Sequence, residues 1–194
     1  LQRTCVPRTG APLAPATSTQ STPRPSKRIK PYPVVYWLPG AEGIQTQVRH
    51  FLQHLEPAVT RKKAPEMIVV GVQALKTSMY CDNNKEKVPD FVPMESIIIH
   101  DLIPHIDATY HTKPERAYRA LEGFSMGGFG AARLGFKHPE LFGVVSIVAG
   151  ALYDEDEWPG LKRIFLITFG GDKEYCKANL PQTFVQKNAE AIKG

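Results

Sequence analysis

Cysteine is scarce in this chain. Among 194 residues there are three, Cys5, Cys81 and Cys176, with no C-x-x-C spacing. An odd, scattered set excludes a disulfide framework and a zinc knuckle, and leaves open a single bridge. Long apolar runs are also missing. None approaches the roughly 18 residues needed to cross a bilayer, so the chain reads as soluble, with no membrane partner. It neither begins with Met nor shows an apolar signal core, which leaves the compartment open between secreted and cytoplasmic. There is no G-K-[ST] for phosphate, and Gly128-Phe129-Gly130 lacks the rest of a dinucleotide fingerprint, so no cofactor is indicated.

Negative charge is absent from the first 30 residues, which carry Arg3, Arg8, Arg24, Lys27, Arg28 and Lys30. The net charge of +5 therefore belongs to that segment, and the rest holds 18 basic against 19 acidic residues. A folded part so balanced has no electrostatic footprint for nucleic acid. Residues 1–33 also hold seven of the 17 prolines and no sustained apolar period, the composition of a tail or linker. The expected organisation is thus a basic Pro/Ser/Thr-rich tail over 1–33 and one domain over 34–194.

From Val34 onward, short apolar runs alternate with helical patterns. Strands are predicted at Val34–Leu38, Met67–Val72, Arg119–Phe124 and Val144–Val148. Helices are predicted over Ile44–Leu55, over Pro93–Tyr110 (with a kink at Pro104), and over Met126–Lys137. Strands that are apolar throughout and separated by helices imply a mainly parallel sheet covered on both faces, the α/β class. Ligands of such sheets sit at the carboxyl ends of the strands, which singles out the loops after Leu38, Val72, Phe124 and Val148.

One of those loops holds Gly123-Phe124-Ser125-Met126-Gly127, a G-x-S-x-G sequence between a predicted strand and a predicted helix. A sharp strand-to-helix turn forces the serine into a strained conformation, and side chains two positions to either side would clash, so Gly123 and Gly127 are required. Ser125 is then lifted above the sheet at the positive end of a helix as a nucleophile. The amide of Met126 points at the developing oxyanion. A second oxyanion donor is expected in Leu38-Pro39-Gly40-Ala41-Glu42-Gly43, at the amide of Ala41; the alternative is a plain Pro-Gly turn.

With these stretches in view the chain resembles the putative-esterase family of the α/β-hydrolase fold, which includes feruloyl and acetyl-xylan esterases, S-formylglutathione hydrolase and mycolyltransferases. The resemblance is carried by YPVVYWLPGAEG, MIVVGV, SMYCD, ESIIIHDLIPHID and, most specifically, RALEGFSMGGFGAARLGFKHPELFGVVSIVAG. FGGDKEYCKANLPQTFVQKNAEAIKG resembles bacterial members. The resemblance implies hydrolysis of carboxylic esters of sugars or phenolic acids through Ser125, or acyl transfer on the same fold. Two departures stand out: Pro39 where the family usually has His, and a proline-rich stretch where it has its first strands.

A triad on this fold runs Ser, then Asp or Glu, then His along the chain. Of the six histidines (His50, His54, His100, His105, His111 and His138) only His138 follows Ser125. Thirteen helical residues put it about 20 Å from the hydroxyl, so His138-Pro139 reads as a helix stop. Asp172 is the acid candidate if Arg163–Phe169 is a strand, and otherwise a loop or helix-cap residue. The resemblance places the acid-bearing strand after a helix at Pro181–Ile192. The expectation is therefore a partial esterase domain, weak or inactive alone for want of the triad His, with a non-catalytic binding module as the remaining alternative. Asp154–Glu157 reads as a solvated acidic loop. His50 and His54 stand i, i+4 without a third ligand, and His100 and His105 lie about 140° apart on a helix, so no metal site is expected.

Overall fold

The computed structural model describes residues 30–73, 75 and 77–193. The tail assigned to 1–33 therefore lies mostly outside the described residues. Within it, Tyr32 already exchanges backbone hydrogen bonds with the loop after the third helix, donating to His111 O at 2.8 Å and accepting from Lys113 N at 2.9 Å.

Four strands, β1 (Val34–Leu38), β2 (Ile68–Gly71), β3 (Arg119–Phe124) and β4 (Val144–Val148), form one sheet in the order β2-β1-β3-β4. All pairs are parallel, with Tyr36 beside Val70 and Leu121, and Leu121 beside Val145. The helices are α1 (Val48–Thr60), α2 (Met94–Ser96), α3 (Ile103–Thr109), α4 (Met126–Lys137), α5 (Lys162–Phe169), α6 (Lys173–Ala178), α7 (Pro181–Lys187) and α8 (Ala189–Lys193). Helices separated by parallel strands give the expected α/β architecture.

The period-two alternation of each strand divides the sheet into two unlike faces. Val34, Tyr36, Leu38 and Leu121 share one buried cluster with Ile98, Ile103 and Ile106 of the α2–α3 segment and Phe129 and Leu134 of α4. On the other face the first residue of α1 meets β2: a Cβ on Gly71 would stand 3.0 Å from a Val48 methyl. Toward β4 that face is open, with Phe124 52%, Val144 57% and Val148 43% exposed.

Between α2 and α3, Ile97–Leu102 forms a π-helical segment. Pro104 explains it. Proline lacks an amide hydrogen and its ring clashes with the carbonyl four residues back, and a widened turn relieves that clash while the helical path continues. The predicted kink is thus realised as a bulge.

The possible strand at Arg163–Phe169 is corrected: this run is helix α5. A short apolar run is ambiguous between strand and helix, and here the four-residue spacing of Phe165 and Phe169 turns both inward. Gly170 at φ 65° then ends the helix, with its amide bonded to Leu166 O and that of Gly171 to Phe165 O, a Schellman closure. Trp158 is the hub of this region, edge-on to Phe129, Tyr153 and Phe169 at 5.4 Å each.

Candidate active site

Chain order and spatial order together locate the site. From β1 the chain crosses to β2 on one side, and β3 lies on the other, continuing to β4. The β1/β3 boundary is therefore the topological switch point, where the loops at the carboxyl ends diverge and leave a crevice. Ser125 follows β3 directly and Ala41 follows β1, so the two strands flanking the switch carry the predicted nucleophile and the predicted amide donor.

Ser125 occupies φ 55°, ψ −115°, between the end of β3 and the first residue of α4. A non-glycine residue there is strained, by about 1–3 kcal/mol. Three backbone hydrogen bonds hold it in place: Ser125 N donates to Val148 O at 3.0 Å, and Ser125 O accepts from Phe129 N and Ala151 N at 3.1 Å each. The flanking glycines are sterically required. A Cβ on Gly123 would stand 1.9 Å from Gly127 O, and one on Gly127 would stand 1.9 Å from Leu38 O. Ser125 is half-buried, and no described side chain hydrogen-bonds its hydroxyl. Met126 is buried as the first residue of α4, where the helix amides are free to face an anion.

Gly40 lies against Ser125: a Cβ built on it would be 3.4 Å from the serine Cβ. The next residue, Ala41, is exposed and joins Glu42, Thr77, Leu161, Arg163 and Ile164 around an open cavity of about 410 Å³. Its walls thus come from the segments following β1, β2 and β4.

The histidines sit elsewhere in the fold. His50 and His54 are exposed on α1, His100 and His105 are exposed on the π segment and α3, and His111 is exposed beyond α3. His138 caps α4 at the end opposite Ser125, where its Nε2 lies 2.7 Å from Glu95 Oε1. Asp172 proves to be a helix cap: it accepts from Tyr175 N at 3.0 Å at the start of α6, and Lys87 Nζ approaches its other oxygen at 2.7 Å. Lys87, by its hydrogen bond, holds the Asp172 carboxyl below the usual carboxylate range. Asp154–Glu157 is an exposed loop. Among the described residues no group of three or more His, Cys, Asp or Glu could hold a metal ion. Cys81 and Cys176 are free and buried, and burial pushes their thiols up to about 11 and about 12.

Two features of the frame that holds the site have no local signature in the sequence. Glu95, buried at the start of α2, is met by Arg133 Nη2 at 2.7 Å, Lys137 Nζ at 2.8 Å and His138 Nε2 at 2.7 Å, all from the far end of the helix that carries Ser125. Burial alone would raise this carboxyl. The hydrogen bond with His138, the charge of Arg133 and the contact with Lys137 outweigh it and hold Glu95 far below the usual range. Its one hint is an arginine inside a helix otherwise rich in Gly and Ala. The second feature is Tyr80, whose hydroxyl donates to Pro39 O at 2.7 Å across 41 residues of sequence, a distance no local pattern encodes.

A strained serine on a strand-to-helix bend, at the switch point of a parallel sheet, defines the α/β-hydrolase class. The comparisons with known proteins agree. The chain belongs to the putative-esterase family, whose sequence model matches residues 17–179. It is 34% identical over 100 residues to an endo-1,4-beta-xylanase/feruloyl esterase of Xylanibacter ruminicola, a match covering 51% of this chain and 13% of that protein. A solved ferulic acid esterase superposes with TM-score 0.62 at 24% identity, covering 84% of this chain and 62% of that one. An S-formylglutathione hydrolase from Agrobacterium tumefaciens gives TM-score 0.67 at 19% identity, covering 83% and 62%. The chain therefore spans less than two thirds of the length of each of these relatives. No described helix is long and apolar enough to cross a membrane.

Proposed function

We propose that this chain carries the nucleophile of a serine carboxylic-ester hydrolase, acting on acyl esters of sugars or phenolic acids. The observation that carries the reading is the conformation of Ser125, φ 55° and ψ −115°, on a bend that only Gly123 and Gly127 permit. In this reading Ser125 Oγ attacks the ester carbonyl and gives its proton to solvent water, which returns a proton to the departing alkoxide. The amides of Met126 and Ala41 hold the oxyanion, the alcohol departs, and water releases the acid from the acyl-Ser125 intermediate. The substrate class is supported by the feruloyl esterase relative.

The described residues bring no imidazole into hydrogen-bond contact with Ser125, so the attacking hydroxyl has no general base there. With the oxyanion cradle and binding alone, serine hydrolases keep about 10³–10⁴-fold over water. Hydrolysis of p-nitrophenyl acetate is expected to be slow, to exceed that of a Ser125→Ala variant, and to rise with added imidazole over the same control. Equal rates for the two proteins would remove the nucleophile. Fast turnover without imidazole would show that a base is present after all.

A second reading, a binding module that keeps the fold without the chemistry, is favoured by the same unpartnered hydroxyl. It predicts no Ser125-dependent rate under any of these conditions. Acyl transfer to an alcohol is a variant of the first reading, separable by adding an acceptor and looking for the transesterified product.

A further inference from the structure

Tyr80 is fully buried, yet its backbone lies in the left-handed region at φ 52°, directly after Met79 at φ 49°. Two consecutive non-glycine residues there are costly and persist only where the surroundings impose them. The surroundings do so from two sides. Gly130 of α4 presents bare backbone to the tyrosine ring, since a Cβ on it would stand 2.4 Å from Tyr80 Cδ2. Arg133 Nη1, one helical turn further on, donates to Tyr80 O at 3.2 Å. Tyr80 is thereby locked to the helix that begins at Ser125, and its hydroxyl donates to Pro39 O at 2.7 Å. The low-dielectric site pushes the phenol well above its ordinary range, so the group remains a donor.

This hydrogen bond fixes the peptide plane between Pro39 and Gly40. The next plane is fixed by Gly43 N, which donates to Gly40 O at 3.0 Å. In a trans peptide the amide hydrogen points opposite to the preceding carbonyl, so the bond to Gly40 O sets the direction of the Ala41 N–H, and the Tyr80 bond anchors the Pro39–Gly40 plane from which that peptide hangs. We propose that Tyr80 is a positioning residue that ties the loop after β1 to the nucleophile helix and so aims the Ala41 amide at the oxyanion formed on Ser125. The proposal rests on the serine-hydrolase reading and deepens it.

The test compares wild type with Tyr80→Phe, which keeps the ring against Gly130 and removes only the donor. Two quantities are read: the backbone amide chemical shifts of Gly40 and Ala41, and the rate of Ser125 modification by a fluorophosphonate. The Phe variant is expected to shift both amides. It should also lower the limiting labelling rate by about tenfold or more, toward the ~10²–10³ lost when an oxyanion donor is deleted outright. The probe concentration for half-maximal rate should not change. A p-aminophenylalanine at position 80, which restores an N–H donor, should recover part of the rate; a merely structural role would give no such recovery. If the Phe variant lacks a cooperative melt, wild type is compared with the amino variant, which is expected to be intermediate in rate. Unchanged amide shifts, or an unchanged limiting rate, would overturn the proposal. Failure of wild type to label at Ser125 would sink the nucleophile reading instead, and the amide shifts then decide alone whether Tyr80 orients the loop.

Discussion

At the scale of single residues, the bend around Ser125 works through the atoms that its neighbours lack. A methyl on Gly123 or on Gly127 would press to 1.9 Å against backbone oxygens, which belong to the sheet and the helix and have nowhere to move. Gly123→Ala and Gly127→Ala are each expected to cost about 3 kcal/mol or more in urea unfolding, at the upper end of overpacking penalties. Gly160→Ala meets nothing within 4 Å, has no left-handed φ, and is expected to leave stability unchanged or raise it by about 0.4–1 kcal/mol. Equal effects at the three positions would show that the bend is not sterically enforced. The Gly123 requirement is local, set by Gly127 O four residues on, whereas that of Gly127 is set by Leu38 O of β1; the recurrence of this bend in G-x-S-x-G is what announced both. Pro39 O finding Tyr80, or Arg133 finding Glu95, depends on the packing of distant segments and left no local trace.

At the scale of elements, helix α4 is held at both ends by different physics. Ser125 caps its beginning, and the Glu95–Arg133–Lys137–His138 cluster anchors its end. Glu95→Ala leaves Arg133 buried without its carboxylate, and a loss of about 3–5 kcal/mol is expected in chemical denaturation. Because the folded Glu95 value lies below the unfolded one, the stabilisation is present above about pH 4.3 and fades as pH falls below it. The wild-type stability curve should therefore drop below that pH, and the Glu95→Ala curve should be flatter there. Parallel curves would show that the cluster contributes no linkage. Most elements were legible: β1, β3, α4 and β4 have the predicted bounds, because strand runs and glycine stops agree. Arg163–Phe169 was not, since β-branched and aromatic residues sit equally well on a buried helical face, and only the Gly170-Gly171 pair distinguished the two.

At the scale of the whole molecule, the sheet ends at β4 among the described residues, with apolar Val144, Ile147 and Val148 exposed. An unpaired apolar edge templates pairing with other chains. The isolated chain is expected to self-associate with rising concentration in sedimentation velocity, and Val144→Lys with Ile147→Lys to keep it monomeric. A chain that is monomeric at all concentrations would show the edge to be protected.

The account stands on Ser125 being a reactive nucleophile, and intact-mass and peptide mapping after prolonged exposure to a fluorophosphonate tests this most directly. One adduct per chain is predicted, on Ser125, formed slowly and absent from the Ser125→Ala protein. No adduct at that position after exhaustive incubation, or modification spread over other serines, would contradict it.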